Sequence, residues 1–214
     1  LLTSFNDEDF VLDNYTENIR YISTEYKQMD KNTVRATEQL KQTGPVRFFN
    51  SEGKGKRVMF VGNSITLHGK KADIGWHGEW GMAASSKEKD YVHLLMSAIC
   101  EKSPDCSFCI CQVAEWERRY KSGKSVYDLF ENARGFNADI IVMRFVENCP
   151  KNDFDKLIFK KETVDLLQYL NPSKNAKIIL TTGFWRHPAD DGIVEIAEEL
   201  NIRIPQVGAV ISSL

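Results

Sequence analysis

Apolar and polar positions change rhythm several times along this chain, and each change marks an element. In the first fifty or so residues, NYTENIRYISTEYKQM and KNTVRATEQLKQ carry apolar residues at mixed three- and four-residue spacing. That spacing predicts helix, and Gly44-Pro45 breaks it. A basic loop punctuated by glycine, SEGKGKR, then leads into Val58-Met59-Phe60-Val61. A short continuous apolar run bounded by glycine predicts a strand buried on both faces.

The same punctuation recurs downstream: helix DYVHLLMSAIC, strand FCICQVA, helix SVYDLFENARG, strand DIIVMRF, helix DKLIFKKETVDLLQYL, strand AKIILTTGF, helix DGIVEIAEEL and a last short strand near RIPQVG. Strands alternating with helices predict the α/β class, a three-layer α/β/α sandwich on a parallel sheet with right-handed crossovers. Loops at the carboxyl ends of the strands then line any site. Residues 1–55 read as an N-terminal helical extension and residues 56–214 as the α/β domain. After the first strand comes HGKKADIGWHGEWGMAASSKEKD, rich in Gly and Trp. Long ordered loops in compact domains concentrate function.

Composition narrows the partners. A chain of 214 residues suits one well-cored domain, and 42% hydrophobic with 27% charged residues is ordinary for a soluble globular protein. With 28 basic against 30 acidic residues the net charge is −2, so no field draws nucleic acid, and a small-molecule ligand is expected. No apolar run approaches the roughly 20 residues of a membrane span, and LLTSFNDEDF lacks the regions of a signal peptide. A cytoplasmic location is the expectation, although the chain opens on Leu1 rather than Met and reads as a piece of a longer sequence. The oligomeric state stays open.

Five cysteines exclude a full disulfide framework, and the spacing Cys106, Cys109, Cys111 invites a zinc reading. Cys109 and Cys111, however, fall in the apolar run SFCICQVAEW, where cysteine acts as a small buried hydrophobe on a strand. A metal site is not expected.

Ser64 follows the first buried strand in VMFVGNSITLHG. There it is either a nucleophile presented over the sheet edge or a helix cap. The stretch Val61-Gly62-Asn63-Ser64-Ile65-Thr66 resembles the first signature block of SGNH/GDSL hydrolases, apolar-apolar-Gly-Asp-Ser, with Asn63 in place of the usual Asp. At the end of DIIVMRF the family's Gly-x-Asn-Asp block has a faint counterpart in Val146-Glu147-Asn148-Cys149, where only Asn148 matches. Ala114, in Gln112-Val113-Ala114-Glu115-Trp116, stands where the family has a glycine. The resemblance covers roughly residues 56 to 214. It implies the flavodoxin-like SGNH fold and hydrolysis of a small acyl ester, an acetylated carbohydrate among the candidates. Ser64 would be the nucleophile, Asn148 and the backbone of Ala114 would donate to the oxyanion, and no cofactor would be required. The candidate substrate contacts are Asn63, His68, Trp80 and Glu115.

The family also needs a histidine base in an Asp-x-x-His-Pro block after its last strand. His187 heads His-Pro-Ala-Asp-Asp-Gly, but Phe184 stands where the Asp belongs, and the block comes one crossover too early. The tail AEELNIRIPQVGAVISSL resembles the penultimate helix and strand, so the expectation is a base and its Asp beyond Leu214, with His187 as the competing candidate. His68 is either a substrate contact or an exposed loop histidine, and His93 reads as structural. Trp76, His77, Glu79 and Trp80 are a pocket wall or an aromatic loop anchor. Trp116 and Glu117 with Arg118 and Arg119 are an anion site or a charged helix start. Two rival functions remain: a non-catalytic relative binding a small ligand or carbohydrate, and a flavodoxin-like nucleotide binder, whose phosphate cradle would have Gly62 alone.

Overall fold

The computed structural model describes residues 44–202 and 204. The helices read over residues 1–43 lie outside them, as does the last strand near RIPQVG apart from Ile204. Five strands form one sheet: β1 (Val46–Phe49), β2 (Arg57–Gly62), β3 (Ser107–Gln112), β4 (Ile140–Arg144) and β5 (Lys177–Thr181). Their order is β1-β3-β2-β4-β5. β2 pairs in parallel with both β3 and β4, and β4 with β5. The helices are α1 (Tyr91–Lys102), α2 (Ala114–Arg118), α3 (Glu131–Phe136), α4 (Lys156–Leu170) and α5 (Ala189–Glu199).

Successive residues of a strand point to opposite faces, and here both faces are covered. Val58, Phe60, Phe108 and Ile110 pack against Val92 and Met96 of α1. Met59, Val61, Cys109, Cys111, Ile141 and Met143 face the other way, onto Trp116, Phe130, Phe159 and Ile193. The apolar runs are continuous because neither face meets water.

Three local readings change. Val46–Phe49 is an edge strand antiparallel to β3, so the sheet begins within the segment read as a helical extension. Four residues with little burial of their own give no period to read; pairing with β3 defines the strand. Secondly, the strand expected through FCICQVA stops at Gln112, where Val113 leaves extended geometry (φ −111°, ψ 18°) and donates its N–H to the Gly62 carbonyl at 2.6 Å. Ala114 opens α2 instead. Lastly, SVYDLFENARG is not one α-helix: Tyr120–Phe130 runs in 3-10 turns broken at Ser122, and α3 follows.

β2 lies centrally, with the next strand on one side of it and the one after on the other. In such sheets the crevice opens outside the carboxyl ends of the strands where the order reverses. Those ends here are Gly62 and Arg144, paired in register.

Candidate active site

Past Gly62 the chain doubles back at once. The Asn63 carbonyl accepts from Thr66 N at 2.9 Å and Leu67 N at 3.0 Å, while Asn63 Oδ1 accepts from Ile65 N at 3.1 Å. A side chain at position 62 has no room, since a Cβ there would lie 1.8 Å from Thr66 Oγ1 and 2.5 Å from the Arg144 carbonyl oxygen. The long Trp-rich loop is pinned back onto this turn. Met82 N–H donates to the Ser64 carbonyl at 2.9 Å, and Gly81 N–H donates to Asp90 Oδ2 at 3.0 Å. Asp90 also caps α1 by accepting from His93 N at 2.7 Å. Ser64 itself is 4% exposed, and among the described residues nothing bonds to its Oγ or accepts from its N–H.

Asn148 reaches the same edge from β4. Between them Val146 is fully buried with φ 142°, a region that a β-branched residue rarely enters. Position 146 is the one that the resemblance above matches to a glycine. One carboxylate holds this stretch: Glu117 Oε1 accepts from Val146 N at 2.5 Å, and Glu117 Oε2 accepts from Asn148 Nδ2 at 2.6 Å. Asn63 Nδ2 donates to Glu117 Oε1 at 3.0 Å and to Glu147 Oε2 at 2.5 Å, so both of its amide hydrogens are spent inside the protein. Glu147 is further bonded by the Arg144 guanidinium and by Phe184 N–H at 2.6 Å. Burial, reinforced by the Glu147 carboxylate, pushes the Glu117 carboxyl up to about 7, against the pull of its three hydrogen bonds.

The remaining candidates are engaged elsewhere. Ala114 N–H donates to Gln112 Oε1 at 3.1 Å, so the backbone donor expected there is occupied. His187 is buried, its Nδ1 accepts from Ala189 N at 3.0 Å, and its Nε2 lies 3.1 Å from the Cys149 carbonyl. That pairing sets the tautomer, with the proton on Nε2, and leaves no ring nitrogen for a serine proton. The ring of His187 ties the loop after β4 to the start of α5, and burial lowers its pKa.

His68 is not an exposed loop histidine. It is 0% exposed, its Nδ1 lies 2.5 Å from the Gly69 carbonyl, its ring stands edge-on to Trp76, and burial pulls its pKa down to about 4. Trp80 spends its indole N–H on the Ala84 carbonyl at 2.9 Å and packs on Trp76 at 5.3 Å, which makes it a loop anchor. Glu115 is buried and paired with Arg119 Nε at 2.9 Å and Arg118 Nη1 at 3.7 Å.

Glu117, read from the sequence as part of an anion site or a charged helix start, joins Asn63 and Asn148 here, and neither Glu147 nor Arg144 was singled out as a candidate. A signal existed for Glu117. Val113, Trp116, Glu117 and Tyr120 recur at helical spacing and are all buried, which puts a carboxylate on the apolar stripe of α2. Beside Arg118 and Arg119 it looks like a solvated helix start. Cys109 and Cys111 lie buried on β3 with thiol pKa values pushed up by burial, and every cysteine is free. Among the described residues no group of three or more His, Cys, Asp or Glu side chains is placed to hold a metal ion. Among them, too, no helix is long and apolar enough to cross a membrane.

Neither a family model nor a curated protein matches this chain. Two solved structures resemble it in part. An α/β hydrolase enzyme from the metagenome of Lake Arreo, Spain, shares 19% identity at a TM-score of 0.44, over 72% of this chain and 78% of that one. An active-site mutant of a family two carbohydrate esterase from Clostridium thermocellum shares 12% identity at a TM-score of 0.41, over 68% of this chain and 50% of that one. Likenesses this slight assign neither site nor substrate to the chain, whose described residues form a mixed α/β domain on a mostly parallel five-stranded sheet flanked by helices.

Proposed function

We propose that the chain carries the core of a serine esterase site of the SGNH/GDSL type, acting on a small acyl ester, with acetylated carbohydrates among its candidate substrates. One observation carries the reading. The turn bearing Ser64 and the loop bearing Asn148 meet at the carboxyl ends of adjacent strands, joined through Glu117. Ser64 Oγ attacks the acyl carbonyl, and the oxyanion is met by the Ser64 N–H and by the Asn148 amide hydrogen that Glu117 leaves unused. With Ala114 N–H on Gln112, the hole has two donors. Asn63 shapes the turn rather than touching substrate.

The serine proton needs a histidine acceptor, and both ring nitrogens of His187 are engaged by backbone groups. The test uses protein expressed from the uninterrupted natural reading frame. Wild type should hydrolyse p-nitrophenyl acetate and label rapidly with a fluorophosphonate, and Ser64→Ala should lose both while melting at the wild-type temperature. Turnover that survives in Ser64→Ala would remove the nucleophile assignment. A folded wild type that neither labels nor turns over would favour a ligand-binding relative.

A further inference from the structure

We infer that Glu117 is the positioning residue of this site, its carboxylate holding the Asn148 amide in register with the Ser64 turn; the inference rests on the esterase reading. The geometry is convergent. A carboxylate offers about four lone-pair sites, and three N–H donors occupy this one: Asn63 Nδ2 from the turn after β2, and Val146 N and Asn148 Nδ2 from the loop after β4. Glu117 itself stands on α2, which opens just past β3. Its N–H donates to the Val113 carbonyl at 3.0 Å, and Val113 N–H in turn donates to Gly62. The ends of three neighbouring strands therefore meet at one side chain, and any displacement of Glu117 changes the spacing between nucleophile and oxyanion donor.

The benefit is geometric. An amide that gives one hydrogen to an anion is not made a better donor through its other hydrogen, but its plane is fixed, with that second hydrogen directed away from Glu117. Misplacing a catalytic group by about 1 Å can cost on the order of 100-fold in rate. A general packing role does not call for a carboxylate here, because burying one beside Glu147 is costly, as the raised pKa of Glu117 records. Only an acceptor on both oxygens satisfies Val146 and Asn148 together, and Val146 sits at φ 142° with that bond in place.

The experiment is a double-mutant cycle on protein from the natural reading frame, with p-nitrophenyl acetate as substrate and circular dichroism to confirm folding. Asn148→Ala should lower kcat by roughly 100-fold or more. Glu117→Gln turns one acceptor into a donor facing Asn148 or Val146, and should lower kcat roughly 10- to 100-fold with KM within about 2-fold. In the double variant the losses should not multiply: kcat should stay within about 3-fold of Asn148→Ala alone. Should Glu117→Gln fail to fold, Glu117→Asp, which keeps the charge on a shorter arm, goes through the same cycle with the same expectation. The Asn148 side-chain amide resonance, assigned by its loss in Asn148→Ala, should also move in either Glu117 variant. Losses that multiply, an effect confined to KM, or an unmoved Asn148 resonance would overturn the inference while the esterase reading stands. Absence of Ser64-dependent hydrolysis in the wild type would remove that reading, and this inference with it.

Discussion

Asn63→Asp installs the residue that the SGNH pattern usually has, and in this protein it should be damaging. The wild-type amide gives one hydrogen to Glu117 Oε1 at 3.0 Å and the other to Glu147 Oε2 at 2.5 Å. An aspartate oxygen in that place has no hydrogen to give. Hydrogen bonds to charged groups contribute about 1.5–3 kcal/mol each, so losing two costs roughly 3–6 kcal/mol. Three ionised carboxylates at such separations would repel by a further amount of about 5 kcal/mol per pair at an effective dielectric near 20, so the folded variant takes up a proton instead. The folded state then binds more protons than the unfolded one, and stability falls as pH rises. Wild type has a milder form of the same slope, because Glu117 is raised from 4.5 to about 7: its cost is absent below about 4.5 and complete above about 7. Guanidinium unfolding followed by tryptophan fluorescence at pH 5, 6.5 and 8 should show a deficit in Asn63→Asp that widens with pH at unchanged m. A variant within about 1 kcal/mol of wild type at pH 8, or a deficit that narrows as pH rises, would refute the reasoning.

His187→Ala orphans the buried Cys149 carbonyl and Ala189 N–H, and should cost roughly 2–4 kcal/mol while leaving kcat/KM of the folded protein within about 3-fold. Loss of all Ser64-dependent turnover in folded His187→Ala would return His187 to the role of base. Because its folded pKa is lowered, the His187 contribution is present above the ordinary value of 6.5 and lost as pH falls below it. Wild type should therefore lose stability on acidification through that range by more than His187→Ala does, and equal slopes would contradict the assignment. Gly81→Ala places a Cβ 1.9 Å from the Ile65 carbonyl oxygen, so the loop must lift from the Ser64 turn. Thermal melting should report a loss of about 1–3 kcal/mol or more, with Ser64-dependent turnover reduced; an unchanged melt would show that the loop is not pinned there.

The positions of β2, β4 and β5 were legible in the sequence, as were the helices α1, α4 and α5. Each is a run long enough for its apolar period to declare it. The placement of Ser64 was legible for the same reason, since a serine just past a doubly buried strand falls at a sheet edge whatever the rest of the chain does. The four-residue β1 was not, because its hydrogen bonds belong to β3. The carboxylate centre was not either. Glu117, Glu147 and Arg144 look like surface charges in the sequence, and only the pairing of β2 with β4, with α2 laid across their ends, buries them against Asn63 and Asn148. His187 shows the converse. Its His-Pro setting made it a competing candidate for the base, and the fold brings two backbone groups to its ring. Local order in the sequence determined which residues form strands, helices and the serine turn; partner choice for buried polar groups was decided by the tertiary structure alone, because a hydrogen bond depends on distances between segments that the order of residues does not contain.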